Sequence, residues 1–293
     1  MKLENRNLKP GTWNPEPGTR NLEPGTWNLE PGTWNLEPGT KPKHMNLKLE
    51  VCAGSLTSAL NAQAGGAHRI ELCDNLNEGG TTPSAGTVIL AKKLLGIPVF
   101  VLIRPRAGDF TYSDVEFESM QEDILFCKRN GLDGIVTGIL TGSGNVDIDR
   151  MRILVDLARP MQVTFHRAFD LTPDPIKALE EIISLGIERI LTSGQAENAL
   201  AGAKLIKQLN NRTNNNIIIM PGGGVTENNI HLLANQTGTQ EVHASLRSPV
   251  NSSMCNRNKT VSIKKNPSDD YSWMETDRRR VKKMYELMTK LYE

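Results

Sequence analysis

Two short segments of the chain carry the same unit, Glu50-Val51-Cys52 and Glu71-Leu72-Cys73, each closing a run with apolar residues at alternate positions. If both runs are strands, the two-residue period puts Glu and Cys on one side of each. Neighbouring strands about 4.8 Å apart would then let Cys52 and Cys73 share a small ligand. Two thiolates suit a soft ion such as Cu(I) and suit a hard ion less well. From spacing alone the simpler account is two buried thiols packing as small apolar side chains, because two ligands do not define a metal site. The carboxylates resist that account. An inward Glu50 or Glu71 left charged and unpaired is costly, so each must meet a cation, a donor or a metal.

Later runs end in further polar residues. Arg104 closes the run 99–104, with Arg106 two residues on. The planar fork of Arg104 suits an anionic ligand or an ion pair with Glu71. His166, in Thr164-Phe165-His166-Arg167-Ala168-Phe169-Asp170, has the chemistry of a general acid or base or of a metal ligand. The alternative for it is a ring held by a backbone hydrogen bond. Thr192-Ser193-Gly194 and Pro221-Gly222-Gly223-Gly224 end two more runs, and His243 and Ser245 share one face of the last. Glycines there let backbone N–H groups face an anion, in the region where barrels often bind phosphate. The candidate catalytic residues are thus Glu50, Glu71, Arg104 and His166. The candidate anion-binding residues are Arg106, Thr192, Ser193, Gly222, Gly223, Gly224, His243 and Ser245, and the candidate metal ligands are Cys52 and Cys73.

These residues need a scaffold that gathers strand ends. The chain supplies eight short apolar runs, at 47–52, 69–73, 99–104, 134–139, 162–167, 189–193, 217–221 and 241–245, with helical patterns between them. In 113–130, Val115, Met120, Ile124 and Cys127 largely follow a 3.6-residue period, and in 175–185 Ile176, Leu179, Ile182 and Ile183 share a face. Strict alternation implies a parallel sheet. Eight units favour closure into a (β/α)₈ TIM barrel of the α/β class, and no G-x-G-x-x-G opens the first helix. A polar segment from Arg247 to Asp277 precedes a last helix over 278–292. Its length reads as a lid or as local disorder.

At 293 residues with 38% hydrophobic and 23% charged side chains, one large domain accounts for the chain. A net charge of +1 gives no electrostatic footprint for nucleic acid or an anionic membrane surface. The sequence has neither a long apolar span nor a secretory signal, which places the protein in the cytoplasm with no membrane partner. Four cysteines in that compartment read as thiols or metal ligands.

Residues 1–44 stand apart as a low-complexity tail, in which Asn-Leu-Glu-Pro-Gly-Thr-Trp recurs every seven residues from Asn21. Pro-Gly in each unit breaks helices, so a disordered tail is expected. The base unit AACCTGG, read three times in one frame, encodes this same heptapeptide. The tail therefore reads as a tandem DNA repeat translated from upstream, with Met45 as the natural start and residues 45–293 as the barrel domain. An interaction tail with periodic Trp anchors is the alternative.

Several segments together resemble the CutC family: Glu71-Leu72-Cys73, Glu78 through Ser84, Ile103-Arg104-Pro105-Arg106 with Gly108-Asp109-Phe110, Thr164 through Asp170, Leu191 through Gly194, and Glu241-Val242-His243. The resemblance runs from about Met45 to the C-terminus. It implies a cytoplasmic TIM barrel that binds copper and serves copper tolerance or trafficking, with Cys52 and Cys73 at the positions of the family's proposed copper cysteines. Ala107 departs from the family's usual glycine, and Cys255 could add a thiol near the mouth. A second reading rests on the cluster of Glu50, Glu71, Arg104, His166 and Gly222–Gly224. It is an enzyme of lyase or isomerase type acting on a phosphorylated or carboxylated small molecule. The expected partners are accordingly a copper ion or a small anionic metabolite, and homo-oligomerisation is left open.

Overall fold

Local sequence sets each element, as α3 (Asp114–Arg129) illustrates. Ser113 caps its first turn in a reciprocal capping box with Glu116, and Lys128 and Arg129 sit at the negative end of the helix dipole. Its buried stripe is Phe117, Met120, Ile124 and Cys127. Val115, expected on that stripe, is 76% exposed, because it stands two positions before Phe117 and so falls on another side of the helix.

A computed structural model describes residues 47–258, 260–261 and 270–291. The tail over 1–44, Met45 and Tyr292 lie outside the described residues. The chain runs β1 (Lys48–Ala53), α1 (Leu56–Gly65), β2 (Arg69–Leu72), α2 (Ala85–Leu94), β3 (Val99–Leu102), α3, β4 (Gly134–Thr137), α4 (Ile148–Ala158), β5 (Gln162–Phe165) and α5 (Pro175–Ser184). It continues with β6 (Arg189–Thr192), α6 (Ala203–Arg212), β7 (Ile218–Pro221), α7 (Ile230–Thr237) and β8 (Glu241–Ala244). The first eight strands pair in parallel in the order β7-β6-β5-β4-β3-β2-β1-β8. With β7 lying against β8, this is the TIM barrel expected from the sequence, and the strands fall within the anticipated runs except that β1 extends one residue further, to Ala53. The helices bury their apolar stripes on the outside of the sheet.

The inside of the barrel is partly polar. Near the N-terminal ends, Arg69 on β2 pairs with Glu50 on β1, and it reaches Glu241 on β8 at 2.5 Å. Arg189 on β6 meets the same Glu241 oxygen at 2.8 Å. Both guanidinium groups lie over the ring of Phe100, 4.9 and 5.3 Å from its centroid. That ring fills space left open by Gly134 on the adjacent strand, where a Cβ would stand 2.6–2.7 Å from three ring carbons. Gly134→Ala is expected to destabilise the fold by about 1–3 kcal/mol through overpacking. Urea denaturation checks this, and adding Phe100→Leu to the variant should recover part of the loss.

The polar segment 247–277 is neither a free lid nor irregular over its described ends. Those ends form an antiparallel ribbon of β9 (Arg247–Asn251) and β10 (Ser272–Thr276), in register from Arg247 opposite Thr276 to Asn251 opposite Ser272. The ribbon is anchored to α1, where the Thr276 amide donates to Ser58 Oγ at 3.1 Å and Asn61 donates to the Thr276 carbonyl. Ribbon pairing satisfies main-chain groups that a loop would leave to solvent, which accounts for the departure from the expectation. The last helix, α8 (Arg278–Lys290), packs against α1 and α7.

Candidate functional site

The register of β1 and β2 sets Cys52 beside Glu71 and Glu50 beside Arg69. Cys73 lies one residue past β2, held by its amide donating to the Ala53 carbonyl at 2.9 Å. The two sulfurs consequently approach to 3.6 Å. A Glu71 carboxylate oxygen completes a group of three candidate ligand atoms within 4.8 Å of one another. Cys52 is 7% exposed and Cys73 2%, and Phe100, Leu102 and Val136 pack around them.

His243 on β8 ties this group to the charged layer below. Its Nδ1 lies 2.8 Å from Glu50 and its Nε2 3.6 Å from Glu71. Burial alone would lower the His243 pKa, but Glu71, Cys52 and Glu50 outweigh it and hold the ring well above its ordinary value. Burial and the neighbouring Cys52 raise the Glu71 carboxyl. The sulfur contact with Cys73, helped by His243, lowers the Cys52 thiol well below its usual range, whereas burial raises that of Cys73. Of the two thiols Cys52 is thus the easier to ionise. Glu50 is pushed up by burial but ends well below the usual carboxylate value because of Arg69 and His243.

The other candidates divide. Arg104 pairs with no carboxylate: its guanidinium donates to the carbonyls of Glu78, Gly80 and Gly108, at 3.0, 2.7 and 2.6 Å. It fixes the loops after β2 and β3 and forms neither the Glu71 ion pair nor an open anion fork. Arg106 sits further out, bound to Glu116 at 2.6 Å and Asp109 at 3.1 Å. Thr192 and Ser193 both hydrogen-bond Asp170 through their hydroxyls. His166 receives the Ala168 amide on Nδ1 at 3.2 Å, and its Nε2 is buried without a partner. Burial and Arg104 lower the pKa of His166 to about 3, so the ring is neutral.

Gly223, Gly224, His243 and Ser245 line a cavity of about 390 Å³ beside Cys52, whereas the Gly222 amide is used by the Thr192 carbonyl at 2.9 Å. Cys255 is exposed and is not part of that wall. Sequence reasoning did not single out Arg167 or Asp170. Arg167 lines the cavity, with its Nε on Asp170 at 2.8 Å and its Nη2 on Ser193 Oγ at 2.9 Å. Their i, i+3 spacing just past β5 was the available signal.

Comparison with known proteins is consistent along this barrel. The CutC family model matches residues 47–248. The "family protein CutC" of Chromobacterium violaceum is 48% identical over 246 residues, covering 84% of this chain and 100% of that protein. The human "Copper homeostasis protein cutC homolog" is 48% identical over 235 residues, covering 80% of this chain and 86% of that one. A crystal structure of a CutC protein from Streptococcus agalactiae superposes with a TM-score of 0.65 at 39% identity, covering 67% of this chain and 97% of that chain.

Proposed function

The chain belongs to the CutC family, and on that premise we propose that it is a cytoplasmic copper homeostasis protein that binds Cu(I) between Cys52 and Cys73. The observation that carries the proposal is the 3.6 Å separation of the two buried sulfurs. With metal–sulfur bonds of about 2.3 Å, two thiolates on one ion at a tetrahedral angle lie roughly 3.8 Å apart. The pair therefore needs little movement to grip an ion. A Glu71 oxygen within 4.8 Å of both sulfurs supports it as a third donor.

The donor set also sets the choice of ion. Soft sulfur ligands select Cu(I) over hard cations. Two thiolates around Cu(I) leave a net negative charge in a buried place, and protonated His243 stands beside Cys52 to balance it. Cys73 gives up its proton on binding, so metal uptake is coupled to proton release. Cys52 lines the wall of the open cavity, which gives copper a way in from the mouth. Among the described residues no helix is long and apolar enough to cross a membrane.

Anaerobic titration of the purified chain with Cu(I), in competition with a chromophoric chelator, tests the proposal. The expected stoichiometry is about one copper per chain, the number one thiol pair can hold. Copper that the chelator removes completely at equimolar concentration would count against it.

A further inference from the structure

The mouth holds polar groups that a thiol pair does not use. The cavity of about 390 Å³ at the ends of β7 and β8 has Arg167, Arg247 and Arg280 in its wall and no carboxylate. A smaller one of about 120 Å³ contains His166. The two share Cys52, Gly79, Arg167 and His243, so they adjoin. Their joint size suits a small metabolite.

The donors lining this recess are committed only in part. Arg167 is fixed by Asp170 and Ser193 through two of its nitrogens, while its Nη1 has no partner among the described residues. Its guanidinium is held over Gly223: a Cβ there would stand 3.4 Å from Cζ and Nη1. Gly223 and Gly224 have φ of +92° and +72°, a backbone turn open to glycine and strained for other residues. Following them, the Thr226 amide is taken by Asn229 at 2.8 Å, but the amides of Gly223, Gly224 and Val225 donate to no described group. The Arg247 side chain makes no hydrogen bond or ion pair among the described residues, whereas Arg280 is committed to Glu227 and the Arg247 carbonyl.

His166 is the independent observation. The residue is 5% exposed, and the Ala168 amide on Nδ1 leaves the proton of the neutral ring on Nε2. That buried Nε2 has no acceptor, although its ring lines the smaller cavity. A buried donor without a partner is costly, and a ligand oxygen would relieve it.

The geometry points to a second binding site in the same mouth, for a small phosphorylated metabolite. The phosphoryl group lies over the Gly223–Gly224 turn between Arg167 and Arg247, and an acceptor oxygen of the organic part faces His166 Nε2. Three free amides, the Arg247 guanidinium and the remaining Nη1 of Arg167 match the oxygens of a phosphoryl group, with Arg247 supplying the unpaired positive charge. The smaller cavity is also lined by Cys52, Cys73 and Glu71, so the organic part lies beside the thiol pair, but the site uses neither sulfur as a ligand and does not rest on the copper reading.

Calorimetric titration of the copper-free full chain at fixed ionic strength, with inorganic phosphate and with dihydroxyacetone phosphate as probes, tests this. Both should saturate, with the phosphorylated ketone tighter. Arg247→Gln, whose side chain holds nothing else in the fold, and Arg167→Gln should each weaken both probes about tenfold or more. His166→Gln should cost dihydroxyacetone phosphate more than it costs inorganic phosphate. Absence of saturable binding, or dissociation constants unchanged in both arginine variants, would overturn the site. Equal losses for the two probes in His166→Gln would remove His166 from it.

Discussion

The Cys52→Ser, Cys73→Ser double variant is expected to bind no Cu(I) at concentrations that saturate the wild-type chain, and each single variant to lose more than about a hundredfold in affinity. Exchange of sulfur for oxygen changes the shape little and the softness of the donor greatly. Removal of supporting partners around a metal ligand typically costs 10–100-fold, and loss of a ligand itself exceeds that. Circular dichroism should show an intact barrel, since the pair packs against Phe100, Leu102 and Val136, which remain. Cys127 supplies the control. It is buried on α3, and burial pushes its thiol up to about 12, so Cys127→Ser should leave copper binding at the wild-type level. Retention of tight, stoichiometric copper by the double variant would remove the thiol pair from the account.

Glu241→Gln is expected to cost about 3–5 kcal/mol of stability, the usual penalty for breaking one side of a buried charge cluster. Glu241 is 2% exposed, and its carboxylate neutralises part of the charge of Arg69 and Arg189, which are themselves buried. Glutamine would leave Arg69 with Glu50 alone and Arg189 without its carboxylate inside the barrel. The pH dependence has a definite sign. Burial raises the Glu241 carboxyl, but Arg69 and Arg189 outweigh it and hold its pKa below the ordinary value. Its stabilisation is therefore complete above the unfolded value, about 4.3, and is lost as pH falls through the lower folded one. Urea denaturation at pH 7 and pH 3 should show a smaller acid loss in Glu241→Gln than in wild type. An equal loss would show that this carboxylate does not govern acid stability.

The strands and their order of function were legible because eight apolar runs alternate with helical stripes, and strand ends in such a barrel converge by construction. The repeated Glu-x-Cys announced two thiols on facing positions, and register then brought them together. What the sequence withheld were choices among partners. Arg104 had a carboxylate as its obvious mate, yet the loops after β2 and β3 fold over it and offer three carbonyls. Thr192 and Ser193 were legible as hydroxyls at a strand end, but Asp170 claims them both. Such pairings depend on loop paths between strands, which periodicity does not encode. The same holds for segment 247–277, whose described ends pair across an interval too long for a hairpin signal. Val115 shows a smaller error of another kind, a helical stripe begun two positions before Phe117, where burial starts.

X-ray absorption at the copper edge of the reduced, copper-loaded chain tests the central claim most directly. The account requires Cu(I) with two sulfur scatterers and one lighter oxygen or nitrogen scatterer, the former vanishing in the double variant. A copper environment built of nitrogen and oxygen alone in the wild-type chain would contradict it.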